Sequence, residues 1–306
     1  MKLHLILNPA SAGGKTRKRE EEIRNLVQKS LGDCSISLTE KAGHAEELCR
    51  TALRDGVDAI LVAGGDGTFN EVVNGCFEEG KPIVEQALLG IIPSGSGCDF
   101  RRTFGLSTDI EESIERIAKN KPTPIDLGLL STADKQTKVF ANIASAGLSA
   151  QIGVNTNQAK WLKKLNGALA FNWTILTTTL RHRRFSLKIT TPKNDETTEW
   201  SANCVAVCNG QYFGSGVRIG REANPADGYF DVAIVHDLSP IGVLKGFSRI
   251  KQDDSVDLEG LTRFRAAELE LSCADPDKTI LIETDGEYGG VLPATFRVLP
   301  SALRIF

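Results

Sequence analysis

The sequence predicts an α/β N-terminal domain built on a parallel sheet and a C-terminal antiparallel β-sandwich. Short apolar runs alternate with amphipathic helices through residue 125, and after Asp126 the pattern changes to strand-like runs separated by turn signals. Pro122 and Pro124 sit at the junction, where proline stops a helix. The expected domains are therefore 1–125 and 126–293, with the tail 294–306 a candidate for packing back on the first domain.

In order, residues 3–7 read as a strand, and Ile23, Leu26, Val27 and Leu31 mark one face of a helix at the 3.6-residue period. Residues 35–39, 59–63 and 88–92 read as further strands, and 44–54 and 70–77 as helices. Buried strands separated by helices imply a parallel sheet covered on both faces, with functional residues at the carboxyl ends of its strands. In the second half, "KVFANIASAG", "FSLKITT", "ANCVAVCNG", "GYFDVAIVH", "FRAAELELSC" and "KTILIETDG" read as strands. Two helices interrupt them, one over about 159–180 and one over 240–250.

At 306 residues, with 41% hydrophobic and 25% charged residues, the chain has the make-up of an ordinary globular protein. Pro9 and Gly13-Gly14 cut the apolar start too short for a secretory signal. Seven scattered cysteines without Cys-x-x-Cys fit a reducing cytoplasm, and four unpaired histidines leave oxygen ligands, hence magnesium rather than zinc, for any metal. Residues 135–194 hold ten Lys or Arg and no Asp or Glu, so the rest of the chain carries −13, the overall −3 less the segment's +10. An acidic protein with one basic face is a candidate for docking on an anionic membrane or nucleic acid, or simply has a solvated positive face.

Three strand ends carry glycine or small polar turns: "NPASAGGK", "GGDGTFNE" and "PSGSGCDF". Glycine lets backbone amides approach phosphate oxygens, and a helix amino end adds partial positive charge. A single turn of this kind is more often a tight connection; three at one edge suggest a polyphosphate. The Walker and dinucleotide fingerprints both fail, because Pro9 and Asn70 stand where glycine is required. A carboxylate between glycines, Asp66, would repel phosphate unless a cation lay between them, and magnesium held jointly by carboxylate and phosphate supplies it.

"GGDGTFNEVVNG" together with "GIIPSGSGCDF" resembles the diacylglycerol kinase catalytic domain family, which includes bacterial lipid kinases and sphingosine kinases. Gly-Gly-Asp-Gly is shared more distantly with NAD kinases and phosphofructokinases. "NPASAGG", "TEKAGHA", "DLG" at Asp126, "DGYFDV" and "TDGE" follow in the family's order. The resemblance implies a phosphofructokinase- or NAD kinase-like first domain and ATP bound by Asn8, Pro9, Ser11, Thr39, Gly64, Gly65, Asp66, Gly67, Thr68, Asn70, Glu71, Ser94, Gly95 and Ser96. It implies Glu287 as general base, with Asp66 and Asp99 catalytic and joined by Asp126 in placing magnesium. The backbone oxygens of Asn224 and Tyr229 with the Asp227 carboxylate, Asp126 beside them, resemble a second, structural magnesium site; without the family, Asp227-Gly228 and Asp285-Gly286 read as plain turns.

The activity implied is transfer of the γ-phosphoryl group of ATP to a lipid hydroxyl, diacylglycerol-like, by a cytoplasmic protein held peripherally on anionic membrane. No nucleic acid partner is implied, and a homodimer stays open. A soluble-metabolite kinase of the NAD kinase type and a nucleotide- or lipid-binding regulator without turnover are the alternatives. Two departures stand out: Cys98 replaces the family's asparagine, and Arg101 a small residue. In the long helix, Leu162, Leu165, Leu169, Trp173, Leu176 and Leu180 form an apolar stripe, with Lys160, Lys163 and Lys164 at one end and Arg181, Arg183 and Arg184 at the other. Core packing is the expected fate of the stripe, and docking of its basic ends on anionic lipid the alternative.

Overall fold

A computed structural model describes residues 1–95, 97–158, 172–192, 196–252 and 259–306. The first domain runs β1 (Leu3–Leu7), α1 (Ser11–Lys18), α2 (Glu20–Leu31), β2 (Cys34–Leu38), α3 (His44–Arg54), β3 (Ala59–Gly64) and α4 (Asp66–Gly75). A small hairpin, β4 (Phe77–Glu78) and β5 (Lys81–Pro82), precedes β6 (Ala87–Pro93), α5 (Asp99–Thr103) and α6 (Ile110–Ala118). Strands β2, β1, β3 and β6 are parallel neighbours in that order. Alternation along β1 and β3 sends Ile6, Ile60 and Val62 against Cys49, Leu53, Val72 and Val73 of α3 and α4. Leu5, Leu7 and Leu61 face the other way, onto Ile23, Val27, Ile110 and Ile114 of α2 and α6.

The second domain contains β7 (Thr123–Thr132), β8 (Thr137–Phe140), β9 (Ile143–Gly147), α7 (Leu148–Gln158), a helix over 172–181 (α8), β10 (Phe185–Thr191), β11 (Glu196–Cys208), β12 (Phe230–His236) and α9 (Pro240–Gln252). It ends with β13 (Leu261–Ala266), β14 (Glu268–Cys273), β15 (Leu281–Thr284), β16 (Glu287–Val291) and β17 (Ala294–Ile305). Its pairings are antiparallel, and Phe140, Phe230 and Phe296 fill its core. Phe140 stacks on Phe230 with centroids 5.6 Å apart. Gly128 makes room for it, since a β-carbon there would come within 2.0 Å of the Phe140 ring.

Three elements differ from their sequence-based outlines. Helix α4 begins at Asp66 rather than Asn70, because the Gly-Gly-Asp-Gly turn is itself the first helical turn: the Phe69 N–H donates to Gly65 O at 3.0 Å. "FRAAELELSC" breaks at Ala267 into β13, which pairs with β12, and β14, which pairs with β10 and β17. The apolar stripe of the long helix does not enter the core where it is described: Trp173 is 60% and Leu180 54% exposed. Helix α8 instead turns Thr174, Thr178 and Thr179 inward, with Asn155 of α7 donating to Thr178 Oγ1 at 3.0 Å. Leu162, Leu165, Leu169, Lys160, Lys163 and Lys164 lie outside the described residues.

Two strands run through both domains. β17 leaves the sandwich and ends parallel to β6, pairing Leu303 with Ala87 and Ile305 with Leu89, while β7 follows it antiparallel along its length. Their register shifts between Leu299 and Leu303. There the buried Asp126 carboxylate accepts from Ser301 N and from Gly228 N, both at 2.7 Å, and Asp126 N–H donates to Pro225 O. Asp126 thus ties the bulge to the loop before β12. Replacing it with alanine strands two amide donors, each costing about 1–3 kcal/mol. Asp126→Ala should therefore lower stability by about 3 kcal/mol, read as a lower urea midpoint; an unchanged midpoint would show that the knot carries no weight.

Candidate active site

The carboxyl ends of β1, β3 and β6 meet at one edge. Asn8 Nδ2 donates to Thr68 Oγ1 at 2.8 Å and Asn8 Oδ1 accepts from Ala10 N, so the first loop is fastened to the amino end of α4. Thr16 Oγ1 donates to Ser94 O at 2.9 Å and also meets Ser11 Oγ, which joins the first loop to the loop after β6. Pro9 is buried beside them, and Thr39 N–H donates to Leu7 O at the end of β1. Gly65 and Gly95 touch backbone to backbone; a β-carbon on Gly95 would lie 2.3 Å from Gly65 Cα, so only glycine permits this approach. A β-carbon on Gly64 would likewise lie 2.6 Å from the Thr68 side chain. Ser96 lies outside the described residues.

The amides of Asp66, Gly67 and Thr68 open α4 and have no partner within its helical ladder, the arrangement by which helix amino ends bind anions. Two nearby polar residues are committed elsewhere. Glu71 accepts from Gly43 N and Ala45 N, capping α3. Asn70 Nδ2 donates to Asp285 Oδ2 at 3.0 Å, across to the second domain.

Asp66 accepts from Asp99 N at 3.0 Å and Phe100 N at 3.3 Å, and so caps α5. Burial pushes its carboxyl up, and neighbouring Asp99 and Asp285 add to the effect. Asp99 accepts from Ser215 N of the second domain at 2.7 Å and pairs with Arg102 at 3.2 Å. Between them Cys98 adopts a left-handed φ of 51°. Asparagine tolerates that region, whereas most other L-residues lose about 1–2 kcal/mol there. Its buried thiol is raised, first by desolvation and then by Asp66, so it is no reactive thiolate.

From the second domain, Asp285 accepts from the amides of Ala141, Asn142 and Ile143 at 2.9–3.0 Å in addition to Asn70. This pins the turn between β15 and β16 over α4. Glu287 lies just past that turn, and its Oε1 is 3.4 Å from where a β-carbon on Gly67 would stand. Glu283 lies just before it, accepting from Ser145 Oγ at 2.5 Å and Gly286 N at 2.6 Å. Neither Asp285 nor Glu283 is among the expected site residues. Asp285-Gly286 read as a simple turn, and the signal for Glu283 was a carboxylate inside an apolar strand.

These groups border a cavity of about 340 Å³ whose lining includes Asp66, Asp99, Glu283 and Asp285 together with apolar side chains such as Phe69, Phe100, Ile143, Ile152 and Phe213. Among the described residues no three His, Cys, Asp or Glu side chains converge to hold an ion by themselves. Asp66 and Asp99 both line the cavity and Asp99 Oδ1 is buried without a hydrogen-bond partner, so this pair fits magnesium, which commonly takes one or two carboxylates and completes its shell with phosphate and water. The second expected site does not fit. Arg265 pairs with Asp227 and lies over the Tyr229 ring at 4.8 Å, Tyr229 N–H donates to Asp227 Oδ1, and Asn224 O accepts from Ala226 N. The Asp227 carboxylate already has its cation. Asp126, beside this loop, is occupied by backbone amides as described above.

Glu283 carries a pH prediction. Burial raises its pKa from 4.5 to about 7, against the opposing hydrogen bonds from Ser145 and Gly286. The folded state then holds this proton more tightly than the unfolded chain, so stability is lost as pH rises from 4.5 through about 7. Glu283→Gln should remove this loss, on the order of 3 kcal/mol, so that its melting temperature relative to wild type rises between pH 5 and pH 8. A difference independent of pH would rule out this titration.

Residues 2–130 match the family model described as diacylglycerol kinase catalytic domain, and residues 142–306 match the YegS C-terminal NAD kinase beta sandwich-like domain. The chain is 27% identical over 304 residues to a diacylglycerol kinase of Staphylococcus saprophyticus, covering 99% of this chain and 94% of the relative. It is 30% identical over 305 residues to a chain named as a YegS-like lipid kinase in Stenotrophomonas maltophilia, covering 98% and 94%. A solved structure from Bacillus anthracis, titled for a diacylglycerol kinase, superposes with a TM-score of 0.78 at 26% identity, covering 99% of this chain and 96% of the other. A parallel α/β domain followed by an antiparallel sandwich is thus a shared architecture, and the chain belongs to the diacylglycerol kinase catalytic domain family, with a YegS-type C-terminal sandwich.

Proposed function

We propose that this chain is an ATP-dependent lipid kinase, transferring the γ-phosphoryl group to the hydroxyl of a diacylglycerol-like or related lipid. The observation that carries the reading is the Glu287 carboxylate against Gly67, because it sets a proton acceptor from one domain beside the anion-binding helix end of the other. The amides opening α4 and the glycine loops hold the phosphates. Glu287 accepts the acceptor's hydroxyl proton as the lipid oxygen bonds to the γ-phosphorus and the bond to the β-phosphate oxygen breaks, releasing ADP. Magnesium, when bound, supplies neutralisation of phosphate charge, and Asp66 and Asp99 are the residues that would hold it. The apolar wall of the cavity favours a lipid over a soluble metabolite as acceptor.

Glu287→Gln tests the assignment. Transfer should fall by about 10²-fold or more, the usual contribution of a general base, while ATP affinity stays within a few fold. An equal loss of affinity and turnover would remove Glu287 from the chemistry.

The membrane supplies such an acceptor, and we propose that α8 docks there. Trp173, Leu176 and Leu180 are exposed on its outer face, with exposed Arg181 and Arg183 following. No helix among the described residues is long and apolar enough to cross a membrane, so the contact would be peripheral, apolar side chains entering the interface and cations meeting anionic headgroups. Binding to phosphatidylglycerol vesicles should exceed binding to phosphatidylcholine vesicles, weaken with salt, and drop in Trp173→Ser/Leu180→Ser. Equal binding to both vesicles, or no change in the double variant, would rule out this face.

A further inference from the structure

We infer that Arg265 stands in place of the second magnesium that the family resemblance implies, so that the loop before β12 is held by a cation built into the chain and needs no divalent ion. The groups expected to bind that ion are the backbone oxygens of Asn224 and Tyr229 and the Asp227 carboxylate. Both oxygens of Asp227 are already engaged, Oδ2 by the Arg265 guanidinium and Oδ1 by Tyr229 N–H at 3.1 Å. The Asn224 oxygen accepts from Ala226 N at 2.8 Å. Magnesium demands near-ideal octahedral geometry, and an ion entering this loop would have to displace these donors and then share Asp227 with a guanidinium of like charge. Arg265 is also fixed from other sides. It lies on β13 opposite Asp231 of β12, where burial pushes the Asp231 carboxyl up and the Arg265 charge opposes that shift. Its guanidinium lies 4.8 Å from the centroid of the Tyr229 ring, within cation–π reach. One cation therefore serves the loop, through Asp227 and Tyr229, and the strand that follows it, through Asp231. Arginine stays charged and offers five donors in a rigid fork, so it does this work whatever the ion concentration around it.

What the loop is tied to gives this substitution its consequence. Pro225 O accepts from Asp126 N, and Gly228 N donates to the Asp126 carboxylate, both at 2.7 Å. Asn209 Nδ2 in turn donates to Asp126 O at 2.9 Å and to Ala141 O at 2.6 Å. Ala141 N–H donates to Asp285, on the turn that carries Glu287. The path from the loop to the turn is made of protein groups, and with Arg265 as its cation it holds at any magnesium concentration. A divalent ion then acts on the nucleotide side, at Asp66 and Asp99, and has no part in holding the second domain.

The test uses the full chain, freed of divalent ions with EDTA and without nucleotide, melted with and without magnesium chloride at matched ionic strength. We expect the wild type and Asp227→Asn to respond to magnesium equally, since neither offers it this loop. Arg265→Gln removes the guanidinium and releases Asp227. It should melt below the wild type without magnesium and recover part of the loss when magnesium is added, and Arg265→Gln/Asp227→Asn should not recover. A magnesium gain in the wild type that Asp227→Asn abolishes overturns the inference, because the loop then binds the ion with Arg265 in place, and this arm stands even if Arg265→Gln does not fold. An Arg265→Gln chain that melts with the wild type, or that magnesium fails to restore, overturns it as well. No arm involves an acceptor or phosphoryl transfer, so either result leaves the lipid kinase reading to its own test.

Discussion

Asp285 is the fastening on which the site depends. Its carboxylate collects three successive backbone amides, Ala141 to Ile143, where the chain enters β9, and the side-chain amide of Asn70 on α4. Burial pushes its pKa up and the four donors oppose the shift, the balance expected when a buried anion is held by hydrogen bonds alone. Asn74, one turn further along α4, exchanges both amide atoms with the backbone of Val139. The helix that begins at the phosphate loop is therefore registered against the second domain at two points. Turn 284–287 cannot shift along α4 without breaking several buried bonds at once, and this holds Glu287 beside Gly67. A reaction that depends on aligning an oxygen with a phosphorus needs such a constraint, since small misplacements are costly in rate.

The site is also where local preferences are overridden. Asp66 and Asp99 crowd together with Asp285, Glu283 is raised to about 7 by burial, and Cys98 takes a left-handed conformation that its side chain does not favour. The remaining structure is conventional by comparison, with strands alternating between two helical layers and a phenylalanine-centred sandwich. Strain and unbalanced charge gathered in one cleft, inside an otherwise consistent fold, are what a functional site looks like in energetic terms.

Similar geometry explains why α8 departs from its apparent polarity. Periodicity alone favours burying the Leu and Trp stripe, yet Thr174 and Thr178 face inward, Thr178 accepting from Asn155 of α7, while Ile175 reaches the cavity wall. The helix separates cavity from solvent. Its exposed apolar face then becomes a surface feature of the site instead of a share of the core.

The alternation that builds the parallel sheet, the shift to antiparallel strands after Asp126, and the glycine turns at the ends of β1, β3 and β6 are legible along the chain, because period and turn chemistry are local properties. The sequence also singles out Asp66, Asp99 and Glu287 through motifs that resemble those of a family. Folding alone reveals that Glu71 caps a helix, that Asn70 and Asp285 join the domains, that Arg265 neutralises Asp227, and that β7 and β17 carry one sheet through both halves. Each of those facts is a pairing between residues far apart in the chain, and a carboxylate's partner, unlike its position in a strand or turn, leaves no periodic trace along the sequence.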